Sequence, residues 1–196
     1  MPTQSSQTRY RGEISLLGPH IAAALEGLGE QLKDNSDLTL HGPFPLYVGN
    51  PARFSQGETR RGVTMTGWRA LVTSNGEPIA SVNIAENKNG AGRLLFDVRG
   101  AQTAVALRNA LKAAQDWLDE SRARVEVRFL AFPSLFITAV WLHGNKTCFV
   151  PTRLNENGRP EPRAMTRVEL MRIVAQERRR HSLARRTGIS RGALAT

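Results

Sequence analysis

The chain is short of cysteine, of long apolar runs and of acidic residues, and each shortage removes a class of protein. Its single cysteine, Cys148, has no partner for an internal disulfide, which fits a reducing compartment, so a cytoplasmic location is the expectation. Four histidines (His20, His41, His143, His181) lie scattered, with no CxxC, HExxH or EF-hand spacing. No metal and no other cofactor is therefore expected. The longest apolar run, Leu135–Leu142, falls well below the ~20 residues that cross a bilayer. Met1–Arg11 is polar and lacks the apolar stretch of a secretory signal. Gly90-Ala91-Gly92 and Gly42-Pro43 match neither a phosphate-binding loop nor a dinucleotide fingerprint and read as turns.

The acid deficit is the most informative shortage. Over 196 residues, 27 lysines and arginines face 17 acids, a net charge of +10. The excess is uneven. From Arg163 to Thr196 nine arginines oppose only Glu169 and Glu177, a net +7, which leaves +3 for the other 162 residues. Such asymmetry points to an acidic partner, nucleic acid or an acidic protein.

What is present is a core. Leu107, Ala110, Leu111, Ala114, Trp117 and Leu118 recur at helical spacing and predict a helix over Ala101–Glu120. Arg124–Ala131 alternates, with Val125, Val127, Phe129 and Ala131 on one side and Arg124, Glu126 and Arg128 on the other, a strand with its polar face in water. Leu135–His143 is apolar on both faces apart from Thr138, and Thr147–Thr152 follows a tight turn as a further strand. Upstream, Asn75-Gly76 is the preferred pair of a two-residue hairpin joining Trp68–Ser74 to Glu77–Glu86. Arg93–Arg99 then completes a meander. Leu38–Leu40 and Pro45–Val48 read as short strands around Gly42-Pro43, and Asn50–Arg61 as a loop. Ile21, Leu25, Leu28 and Leu32 form one stripe of a helix over Pro19–Lys33.

The expected architecture is α+β: an antiparallel sheet of about five or six strands (meander, then helix, then further strands) covered by a long helix, with a basic C-terminal helical extension. A flexible arm spans residues 1–15, the α+β domain 16–153, a linker 154–162 and the extension 163–196. In the extension, Thr166 and Glu169 have the spacing of a capping box, and Val168, Met171 (or Leu170) and Val174 supply an apolar stripe.

The order helix, three strands, helix up to Glu120 resembles the double-stranded-RNA-binding domain in outline. The start of its second helix, Ala101-Gln102-Thr103-Ala104-Val105, is neutral where that family carries a basic cluster. The longer order through the last helix is similar to that of small secretion chaperones, which are usually acidic, as this chain is not. His181–Leu194 resembles part of a helix-turn-helix unit: Leu183 and Ala184 would pack the first helix, Gly188 would make the turn, Ile189 would fill the core and Ser190 would cap the second helix. The plainer alternative is an arginine-rich tail that binds acidic surfaces without specificity.

Three functions follow as expectations. The first is a non-enzymatic binding or adaptor protein whose extension engages nucleic acid or an acidic partner through Arg167, Arg172, Arg178, Arg179, Arg180, Arg185, Arg186 and Arg191. The second is an accessory, chaperone-like or translocated protein of a secretion or defence system. The third is a small enzyme using His143 and Cys148 as a thiol–imidazole pair, which a two-residue turn at Asn145-Lys146 would place on one face and a three-residue turn on opposite faces. Cys148 within Cys148-Phe149-Val150 reads first as a small buried hydrophobe, so no residue is assigned as catalytic. Glu86 and Asp97 are possible paired carboxylates across the meander. The oligomeric state is open.

Overall fold

The computed structural model describes residues 38–56, 62–86, 94–154 and 161–186, and of 86, 94–96 and 184–186 only the backbone. The helix expected over Pro19–Lys33, the N-terminal arm, most of the linker and the residues after Arg186 lie outside the described residues.

Seven strands form one sheet: β1 (Leu38–Gly49), β2 (Val63–Ser74), β3 (Glu77–Glu86), β4 (Leu94–Arg99), β5 (Val125–Phe132), β6 (Ile137–Gly144) and β7 (Cys148–Arg153). Three helices accompany them among the described residues: α1 (Pro51–Ser55), α2 (Ala101–Ser121) and α3 (Arg167–Arg186). The fold is α+β, but the sheet is mixed and larger than expected, in the order β4-β3-β2-β1-β5-β6-β7. Its one parallel pair joins β1 to β5, Leu46 opposite Phe129. That pair exists because α2 carries the chain from edge strand β4 back over the sheet, so β5 enters beside β1 in the same direction.

Local chemistry explains most strands. Asn75 (φ 50°) and Gly76 (φ 78°) make the β2–β3 turn with both residues at positive φ. In place of two short strands around Gly42-Pro43, one twelve-residue strand runs through, with a register shift between His41 and Phe44 where Pro43 has no N–H to offer. The Asn50–Arg61 segment is not all loop: Asn50 Oδ1 accepts from the amides of Ala52 and Arg53, and Pro51 opens the short helix α1. Its purpose in packing is Phe54, 1% exposed. At the other strand junction, Pro133–Leu135 forms a 3₁₀ turn ending on Phe136 at φ 55°, so β6 begins two residues later than alternation suggested.

Both faces of the β5–β7 half are covered. On the first face, Ala104, Leu107, Ala110 and Ala114 of α2 pack on Leu71, Phe129, Val140, Leu142, Cys148 and Val150, with Leu111 and Trp117 half-buried at the margin. On the second face, Leu170 and Val174 of α3 join Phe54, Phe132, Ile137, Trp141 and Phe149. The stripe of α3 therefore starts at Leu170, while Val168 points outward, 63% exposed. The polar side of β5 is not simply in water. Arg128 lies over the rings of Tyr47 and Trp141, 5.1 Å from each centroid, and pairs with Glu126. A third cluster, Trp68, Val72, Ala80, Val82 and Ile84, is buried on the second face of the meander.

Candidate functional site

The sequence-predicted residues separate into two places. Cys148 faces α2 on the first face, 4% exposed, and burial pushes its thiol up to about 11. His143 follows Trp141 on the second face, its ring 4.9 Å from the indole, and is exposed. Register pairs Cys148 with Leu142 and leaves His143 opposite Glu126 of β5. The two side chains thus lie on opposite sides of the sheet and cannot share a proton. Glu86 and Asp97 are likewise apart: Glu86 pairs with Leu94, Asp97 with Asn83.

The arginines of α3 are held by a real helix. Thr166 N–H donates to Glu169 Oε2 (2.7 Å) and Glu169 N–H to Thr166 Oγ1 (3.3 Å), the reciprocal capping box. The Thr166 backbone N–H first, then the Thr166 hydroxyl (2.9 Å), both donating to Glu169 Oε2, hold that carboxyl below its ordinary range. Just before the cap, Met165 exchanges both backbone hydrogen bonds with Phe149 on edge strand β7 (2.9 and 2.8 Å). That bridge pins the helix to the sheet and covers an edge. Leu170, Val174 and Glu177, at i, i+4 and i+7, turn inward. The outer side consequently carries Arg172, Gln176, Arg179 and Arg180, all exposed. Arg180 pairs with Glu177 at 2.9 Å, and Arg178 donates to Ser55 Oγ at 3.4 Å. Arg167 is half-buried near the helix start. Arg185 and Arg186 fall in the last turn with side chains outside the described residues, as does Arg191 altogether. Leu183, expected to pack inside a helix-turn-helix, is 61% exposed.

A second cationic place was not anticipated. Where α2 crosses the first face, its N-terminal turn stands off the sheet over a cleft of about 630 Å³. Arg69, Asn83, Arg99, Gln102, Thr103, Thr138, Thr152 and Arg153 supply its polar lining, with Leu46, Val48, Ile137 and Phe136 among the apolar groups. No carboxylate lines it among the described residues. Arg69 is only 4% exposed. Its Nε donates to Asn83 Oδ1 (2.7 Å), and its guanidinium lies 5.4 Å from the Phe129 ring centroid. Asn83 Nδ2 in turn donates to Asp97 Oδ2 (3.2 Å), which also accepts from Arg99 Nε (2.9 Å). Burial first, then the neighbouring Arg99, pulls the Arg69 guanidinium down to about 10; Asp97 opposes them weakly. It remains charged at neutral pH.

Alternation in the sequence puts Arg69 on the face away from Trp68, Ala70 and Val72, but it does not give its neighbours. Counting outward from the Asn75-Gly76 turn would set Arg69 opposite Val82; a register shift between Val72 and Thr73 brings Asn83 opposite Arg69, and Asn83 pairs in turn with Asp97. What periodicity could not supply is that α2 leaves this stretch of the face uncovered. No protein-family model, no curated protein and no solved structure matches the chain.

Proposed function

We propose that the protein is a non-enzymatic binding or adaptor protein whose C-terminal arginines engage nucleic acid or an acidic protein partner. One observation supports this above the others: α3 buries Leu170 and Val174 against the sheet and turns Arg172, Arg179 and Arg180 outward along one side. A helix docked in this way presents guanidiniums in a fixed row, which suits phosphates or carboxylates in series better than a frayed tail does. Duplex phosphates are the first partner to try, because Arg contacts to phosphate position a protein without reading sequence. The thiol–imidazole enzyme has lost its geometric basis, since Cys148 and His143 lie on opposite faces. A role in a secretion or defence system remains a second proposal with no residue of its own to carry it.

The test is salt-dependent binding of the full chain to a duplex of arbitrary sequence. Affinity should fall with salt at a log–log slope near −0.9 per phosphate neutralised. Arg172→Gln with Arg179→Gln should lower affinity and flatten the slope by about two. These exposed positions leave the core intact, which removal of the whole helix would not. If neither DNA nor RNA binds at low salt, an acidic protein becomes the partner to seek.

A further inference from the structure

The cleft under the first turn of α2 combines three features that meet an anion. Its lining carries three arginines, Arg69, Arg99 and Arg153, and no acid among the described residues. Asp97 behind it is engaged by Arg99 and Asn83, which leaves Arg69 with no carboxylate bonded to it. The first turn of α2 points into the same space: Gly100 caps it without a side chain, no acid occupies that turn, and Gln102 and Thr103 line the cleft. The backbone N–H groups at such an end carry partial positive charge and lack partners within the helix.

Arg69 is the independent sign that something belongs there. An arginine this deeply buried normally meets a carboxylate, because stripping its water costs several kcal/mol. Here only Nε is bonded, to a neutral amide, and its terminal nitrogens make no hydrogen bond with any described residue. It is also held in place, stacked on Phe129 and oriented by the Asn83–Asp97–Arg99 chain. A guanidinium fixed and desolvated before any ligand arrives offers two parallel donors to a tetrahedral oxyanion. The volume far exceeds one phosphate, and Leu46, Val48, Ile137 and Phe136 provide apolar surface for a carbon skeleton.

We propose that this cleft binds a small organic phosphomonoester, its dianionic head held by Arg69, Arg99 and the first turn of α2 and its body lying on the apolar lining. A guanidinium with parallel donors facing the open N-terminal end of a helix suits a phosphate head. The cleft opens on the α2 side of the sheet; its Phe136 end stacks on His181 of α3 at 6.4 Å, but Arg172 and Arg179 do not line it, so the two can be tested apart.

The experiment is calorimetric titration of the full chain with phenyl phosphate, with phenol as the uncharged comparator. Phenyl phosphate should bind and raise the melting temperature; phenol should do neither at the same concentration. Arg69→Met should weaken binding by about tenfold or more, as loss of a charged hydrogen bond implies, while circular dichroism shows the fold retained. Should that variant not fold, Arg99→Gln, at a side chain 49% exposed, carries the same expectation without touching the core. Arg172→Gln with Arg179→Gln should leave the titration unchanged. Absence of binding to the wild-type chain at millimolar phenyl phosphate overturns the proposal. So does equal binding of phenol, or binding that survives both cleft variants.

Discussion

At the scale of single residues, Phe129, Cys148 and Arg69 share one face of the sheet and behave in three ways. Phe129 is fully buried beneath α2, in edge contact with Phe44 at 5.6 Å between centroids. Phe129→Ala should cost about 3–5 kcal/mol in a denaturant melt, the transfer loss plus the cavity left behind; a loss under about 1 kcal/mol would mean the site collapses freely. Cys148, with its thiol pushed up to about 11 by burial, is neutral at pH 7. It should react with a thiol reagent orders of magnitude more slowly in the native chain than in denaturant, since only the thiolate attacks. Rapid native labelling would contradict the packing. Arg69 runs the other way: a buried cation without a carboxylate opposes folding. Arg69→Met should therefore leave stability unchanged or raise it, measured by the melting midpoint. A large loss would show that its bonds to Asn83 and Phe129 outweigh the desolvation.

At the scale of elements, the capping box decides where α3 starts. Thr166→Ala removes the side-chain acceptor for the Glu169 amide and should cost about 1 kcal/mol. The reciprocal half has a pH signature. Glu169 is held below its unfolded value by the Thr166 donors, so its contribution is complete above the unfolded carboxylate range and is lost as pH falls through the folded value. Acid melts of Glu169→Gln should accordingly show a shallower decline than wild type at the low-pH end, and identical slopes would place the stabilisation elsewhere. Elements also show why β1 was misjudged. Gly42-Pro43 looks like a break locally, yet β2 pairs with this strand on both sides of the bulge, and β5 pairs with it beyond, at Leu46–Val48. Neighbouring strands override a weak local signal.

At the scale of the whole molecule, the position of α3 matters most for stability. Leu170 is fully buried with Phe54 and Phe149, and the Met165–Phe149 bridge ties the helix to β7. Leu170→Ala should lower the global unfolding free energy by about 2–5 kcal/mol with one cooperative transition. A helix that melts early while the sheet signal persists would instead mark an extension folding on its own. The same arrangement leaves Arg172, Arg179 and Arg180 exposed on the side away from Leu170 and Val174, with Arg167 half-buried near the helix start.

Period and turn chemistry were enough to place α2, the Asn75-Gly76 hairpin, β4 and the capping box of α3, because each depends on neighbours within a few residues. Alternation also assigned Phe129 and Ala131 of β5 to the core, and the charge count located the cationic excess in the C-terminal segment. None of these needs knowledge of the partner strand. Three things were decided only by tertiary structure. The parallel pairing of β1 with β5 depends on where a 21-residue helix returns the chain, which no local pattern encodes. The separation of His143 from Cys148 depends on the β6–β7 register, and one residue of slip exchanges the faces. The cleft depends on where α2 crosses the sheet, which turned Arg69 from one polar residue in an alternating strand into a buried cation held by Asn83 and the Phe129 ring.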